Sequence, residues 1–129
     1  MRGKLGFLDL LFLEGITVKI RIPSKKVCEK FLLTYELEGC QKAVNVLTKY
    51  HGIGRMKIIV DGRRVGNKDE ACYYDNKAYF TKKTLNKSNV LHELYHHIVE
   101  NYELDMSEKM EERNAKRYIR EVLKRGEDF

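Results

Sequence analysis

Three of the chain's four histidines, His92, His96 and His97, fall in one short stretch, and the first two bracket Glu93 in His92-Glu93-Leu94-Tyr95-His96. Residues four apart share one face of an α-helix, so His92 and His96 can aim both imidazoles at a single metal ion. Glu93 leaves the helix about 100° round from His92. It can therefore reach a water held beside the two ligands without being a ligand itself, which is where a general base must sit. The chemistry this pattern predicts is hydrolysis at one zinc ion, with Glu93 as the catalytic residue. Chance alone would produce such a motif here on the order of once in a hundred chains, so its surroundings must support it.

A zinc site needs a third protein ligand. Glu108, Glu111 and Glu112 lie on the next predicted helix. If the two helices form an antiparallel hairpin turning near Leu104, the level midway between His92 and His96 falls near Asn114. Glu111 and Glu112 are within one turn of that level, and Glu108 is further toward the turn. Ala115 would let the helices approach closely. Helix geometry alone does not separate these two; Glu112 is the choice and Glu111 the next. The glutamates left over are expected to orient the histidines or to face water. His97, one residue past the ligand face, is expected beside the ligands or at the surface, and His51 as a cap on its own helix end.

The elements that position these residues follow from periodicity. Ile16, Val18, Ile20 and Ile22 alternate with polar residues, predicting a strand that Pro23 stops. Ser24 offers a helix N-cap ahead of Val27, Phe31 and Tyr35, and a second helix over Cys40 to Tyr50 ends at Gly52 and Gly54. Strand character returns at Met56 to Val60, before the turn signal Asp61-Gly62. Ala71 to Tyr74 and Ala78 to Thr81 read as a hairpin across Asp75-Asn76-Lys77. A helix over about Val90 to Tyr102 carries the motif. Asp105 and Glu108 form a capping-box pair opening a last helix to about Lys124, with Ala115, Tyr118, Ile119 and Val122 as its apolar stripe. The expectation is one α+β domain over residues 1–129, a small, mainly antiparallel sheet packed on helices.

On these residues the chain resembles the gluzincin metallopeptidases, zincins whose ligands are two motif histidines and a downstream glutamate, and in size the minigluzincins. The resemblance spans roughly Met56 to Leu123, within a metallopeptidase-like core of about 56–125, and is most specific at His92 to His96. Glu112-Arg113-Asn114-Ala115 is similar to the Glu-x-x-Ala of several gluzincin branches, and Tyr118 falls where those carry an aromatic residue. Lys116 stands where many carry Asp or Asn. The resemblance implies a zincin-like fold and a zinc-dependent endopeptidase ligated by His92, His96 and Glu112. In that scheme a zinc-bound water attacks a peptide bond of a peptide or protein substrate. It also implies that Ala71 to Tyr74 is an edge strand along which an extended peptide pairs. Some minimal gluzincins are kept latent by a C-terminal segment, and Gly126-Glu127-Asp128-Phe129 is the stretch here that could act so, although a frayed tail is the reading preferred for it. For the donor to the developing oxyanion, Tyr73, Tyr74, Tyr95 and His97 stay open.

Composition sets the limits. With 43% hydrophobic and 34% charged residues, the chain can build a core, and no apolar stretch is long enough to span a bilayer. The apolar run Phe7 to Leu13 is interrupted by Asp9 and reads as a packing segment rather than a signal peptide. Cys28, Cys40 and Cys72 form no close pair; reduced thiols are expected, with a Cys28–Cys40 disulfide only in a hyperthermophilic source. The expected location is the cytoplasm, with no membrane partner. A net charge of +6 favours acidic partners. The alternative reading is a nucleic-acid-binding regulatory protein with a structural or relict zinc site. It rests on Arg113, Lys116, Arg117, Arg120, Lys124 and Arg125.

Overall fold

Helix boundaries in this chain are set by small polar residues and glycines at the expected places. The computed structural model describes residues 20–61 and 71–127. Helix α1, Lys25–Glu38, opens at Ser24, whose hydroxyl accepts the Val27 N–H at 3.3 Å. It ends at Gly39, whose φ of 99° suits glycine rather than a residue with a Cβ. Helix α2, Cys40–His51, ends at Gly52 in the left-handed region. Helix α3, Lys87–Asn101, opens at Asn86, whose side-chain oxygen accepts the Asn89 N–H at 2.8 Å. Helix α4 is Glu108–Glu127.

The start of α4 corrects the expected Asp105–Glu108 capping box. The cap is Ser107, whose hydroxyl accepts the Met110 N–H at 3.1 Å. Leu104 and Met106 pack against the core, and this holds the connection out of the helix until Ser107.

The sheet of the described residues has three strands, β1 Lys57–Val60, β2 Cys72–Tyr74 and β3 Lys77–Phe80, in the order β1-β3-β2. Asp75 and Asn76 make the β2–β3 turn with φ of 51° and 63°, the left-handed pair that a two-residue hairpin needs. Lys77 therefore belongs to the strand rather than the turn. The sheet is mixed, not mainly antiparallel: β2 runs antiparallel to β3, but β1 pairs parallel with β3, Ile58 opposite Ala78. The chain runs up β1, down β2 and up β3, so putting β3 in the middle makes the β1 pairing parallel. β3 suits the middle because Ala78 and Phe80 are both fully buried. The outer side of β1 is occupied by a side chain. Gln41 of α2 accepts the Ile58 N–H at 2.8 Å and donates to the Met56 carbonyl at 3.0 Å.

Helix α3 touches α2, α4, β2 and β3 and is the hub of the fold. Leu91, Leu94 and Ile98 are fully buried with Phe31, Leu47, Phe80, Tyr118 and Val122. Helix α4 lies against both α1 and α3. Its far end approaches α1 so closely that a Cβ on Gly126 would lie 2.9 Å from the Cys28 carbonyl oxygen. Gly126 and Glu127 are thus helix, not a tail. Fourteen residues of helix put Gly126 about 21 Å from Glu112, so these two residues are neither the frayed tail preferred from the sequence nor in the cleft. Asp128 and Phe129 lie outside the described residues.

Of the predicted Ile16 to Ile22 strand, residues 16–19 lie outside the described residues, as do Phe7 to Leu13 and Gly62. Ile20 to Ile22 form no strand, although Ile20 is buried and Arg21 exposed, as alternation requires. Cys28, Cys40 and Cys72 are free thiols. No helix among the described residues is long and apolar enough to cross a membrane.

Candidate metal centre

Burial of Leu91, Leu94 and Ile98 fixes the rotation of α3. His92 and His96 are left half-buried on a neighbouring face. Their Nε2 atoms are 3.1 Å apart. Helix α4 brings Glu112 to them, with Oε2 at 3.5 Å from the His92 Nε2 and 3.4 Å from the His96 Nε2. Among the described residues, His92, His96 and Glu112 are the one group of three or more His, Cys, Asp or Glu able to hold a metal ion.

The donor set fits zinc. Bonds of about 2.0–2.1 Å to nitrogen and oxygen in a tetrahedron give edges of about 3.3–3.4 Å between ligand atoms. The three observed separations lie close to that value. Atoms at these spacings would suit a small tetrahedral ion.

Glu111, one residue from Glu112, bonds the Nδ1 of His96. A carboxylate accepts, so Nδ1 carries the proton and Nε2 keeps its lone pair toward His92 and Glu112. Glu108 is exposed at the start of α4 and takes no part. Burial lowers the pKa of His92, which keeps its ring neutral, and Glu112 opposes that shift.

Glu93 is only 6% exposed. It makes no hydrogen bond or ion pair among the described residues. Burial pushes its carboxyl up to about 7, against the pull of His96. It faces a cavity of about 500 Å³ that His92, His96, Tyr73, Glu100 and Glu111 also line.

The four candidate oxyanion donors separate clearly. Tyr74 is 73% exposed and points away from the cavity, and Tyr95 is buried against another small pocket with Tyr118. His97 is fully buried rather than at the surface. Its Nε2 donates to the Gly54 carbonyl at 2.7 Å, which leaves Nδ1 as an acceptor. Tyr73 lines the cavity, but its hydroxyl lies 2.5 Å from Glu100 and 2.9 Å from the His97 Nδ1. One proton cannot serve both. It goes to the carboxylate, and the Asn101 amide at 3.2 Å supplies His97. Burial and Glu100 together raise the Tyr73 pKa, so the phenol keeps that proton. Tyr73 thus positions Glu100 rather than polarising a carbonyl.

The Tyr73–Glu100–His97 set went unseen in the sequence, although Glu100 continues the spacing of His92 and His96 by one more turn. His51 has a second role that the sequence did not show. It stands in the last turn of α2, as expected, but its ring is buried and bonds the Tyr118 hydroxyl at 2.7 Å, tying α2 to α4. No family model matches this chain, and no curated protein or solved structure matches it either.

Proposed function

We propose that this chain is a zinc-dependent peptidase of the gluzincin type, with a zincin-like fold. The observation that carries the reading is the triangle of His92 Nε2, His96 Nε2 and Glu112 Oε2, at tetrahedral-edge spacings, beside the buried Glu93 carboxylate, which makes no hydrogen bond among the described residues. Bound there, zinc would polarise the scissile carbonyl and lower the pKa of the attacking water to about 7.

The chain's own residues do the rest. His92, His96 and Glu112 hold the ion, and Glu111 keeps His96 in its ligating tautomer. Glu93 takes the proton from the attacking water and delivers it to the leaving amine. The cavity wall holds Tyr73 of β2, which is an edge of the sheet. An extended peptide would add to β2 through main-chain hydrogen bonds and lie across the cavity.

The test is metal content after dialysis, with cleavage of an unfolded casein-like protein by the zinc-loaded chain. One zinc per chain, lost in His96→Ala and Glu112→Ala, is expected. Cleavage should fall about 10²–10⁴-fold in Glu93→Gln while zinc stays bound. Undiminished cleavage by Glu93→Gln would remove the mechanism.

A second reading has its own observation. Arg113, Lys116, Arg117, Arg120 and Lys124 are all exposed on α4. Steeply salt-dependent DNA or RNA binding, lost on neutralising Arg117 and Arg120, would favour it.

A further inference from the structure

The open rim of the sheet and the ligand-bearing helix meet at one residue. The two-residue turn Asp75-Asn76 makes Tyr74 and Lys77, which flank it, a hydrogen-bonded pair. Bonded and non-bonded pairs alternate along an antiparallel ladder, so Cys72 and Tyr79 are the next bonded pair. Tyr73, opposite Ala78 between them, therefore turns its own N–H and C=O away from β3. Those two groups face the open rim, and neither has a main-chain partner among the described residues. Of the three residues of β2, Tyr73 alone can exchange both main-chain hydrogen bonds with an arriving strand.

The side chain of the same residue is tied to α3. Its hydroxyl donates to Glu100 at 2.5 Å and lies 2.9 Å from the His97 Nδ1. The rings of Tyr73 and His97 meet edge to face, with 5.6 Å between their centres. His97 is itself held on its other side, fully buried and donating to the Gly54 carbonyl at 2.7 Å. A second tie joins the end of α3 to the hairpin turn, where the Asn101 amide lies 3.4 Å from the Asn76 side-chain oxygen. Helix α3 also carries His92 and His96, and Glu100 follows His96 by one turn, about 6 Å along the axis. The rim residue and two of the three candidate ligands are thus referred to one helix.

We propose that Tyr73 is a positioning residue for an extended peptide substrate: its main chain pairs with the peptide while its hydroxyl, held by Glu100 and His97, fixes the strand against α3. This rests on the peptidase reading for the bond that is cut. A strand of three residues, paired on one side, is held by few hydrogen bonds of its own. Its displacement by about 1 Å would carry a bound peptide equally far from the His92, His96 and Glu112 atoms, and such misplacement costs a reaction about 10²-fold. The hydroxyl supplies the missing restraint. It bonds none of the three candidate ligands, so deleting it loosens the strand and leaves their triangle in place.

The test reads pairing and positioning separately, with a proline-free casein peptide as the probe. On the metal-free chain, amide hydrogen exchange followed by NMR should show the peptide protecting the Tyr73 N–H. The Cys72 and Tyr74 N–H groups, already paired with β3, should gain nothing. On the zinc-loaded chain, Tyr73→Phe should lower kcat about 10–100-fold with KM and zinc affinity unchanged, a split that partial unfolding would not produce. Glu100→Ala should lower kcat as well, and Glu100→Gln, whose amide oxygen still accepts the hydroxyl, should restore it. A peptide that binds and leaves the Tyr73 N–H unprotected, or one that does not bind, overturns the proposal. Cleavage by Tyr73→Phe at the wild-type kcat overturns the positioning role and leaves the peptidase standing. Protection at Tyr73 with no cleavage by the wild-type chain keeps Tyr73 as the docking residue and sinks the peptidase.

Discussion

Glu111 bonds the ring nitrogen of His96 that faces away from His92, so adjacent residues of α4 grip one imidazole from both sides. Their roles should separate in a zinc competition titration. Glu112→Gln removes one of the three proposed ligands and should abolish tight binding. Glu111→Gln leaves all three ligands and should weaken zinc about 10–100-fold, the usual cost of losing a carboxylate behind a ligating histidine. Equal losses in the two variants would mean that the roles assigned to them are wrong.

The close contact of α4 with α1 predicts a glycine that cannot be replaced cheaply. In Gly126→Ala the new Cβ would lie 2.5 Å from the Leu32 Cδ1 and 2.9 Å from the Cys28 carbonyl oxygen. Alanine gains about 1 kcal/mol of helix propensity, and overpacking costs about 1–3 kcal/mol. Leu32 can swing aside but the Cys28 backbone cannot. A net loss of up to about 2 kcal/mol in urea denaturation is expected, with zinc affinity unchanged. A stabilised variant would show that the helices part easily.

Tyr118→Phe should separate stability from metal binding. It deletes the hydroxyl bonded to His51 in a fully buried position. A loss of about 1–3 kcal/mol is expected, again by urea denaturation. Zinc stoichiometry should not change, because the deleted hydroxyl bonds His51 and none of His92, His96 and Glu112.

Stability should also fall on the alkaline side. Burial raises the Cys28 thiol from 9.0 to about 11, although Arg125 pulls it down. The unfolded thiol loses its proton first, so this contribution is whole below about pH 9 and is lost as pH rises toward 11. Between pH 8 and pH 10 the expected loss is about 1 kcal/mol. Urea midpoints across that range, compared with Cys28→Ala, measure it. An identical slope in the variant would assign the effect to other groups.

What was legible in the sequence was local. Ser24, Gly52 and the Asp75-Asn76 turn act within three or four residues, and their neighbours suffice to read them. The His92/His96 pair belongs to the same class, because one helical turn brings them together. Glu112 and Glu111 needed the rotation of α4 about its own axis, which the packing of Ala115, Tyr118 and Val122 decides. The parallel pairing of β1 depended on which strand could fill the sheet's middle. Ser107 displaced Asp105 because Leu104 and Met106 anchor the preceding connection. His51 and Tyr73 found partners 67 and 24 residues away, distances at which spacing patterns carry no information.

Gln41 has a consequence beyond its two hydrogen bonds. Its amide copies a peptide group and fills the middle of one rim of the sheet, leaving β2 as the open rim among the described strands. A sheet open on both sides can recruit copies of itself without end; one open on a single side can take one visitor. Two copies meeting there would close as a pair, each masking the other's cleft. A peptide bound along β2 and a second copy paired there would therefore compete for the same strand.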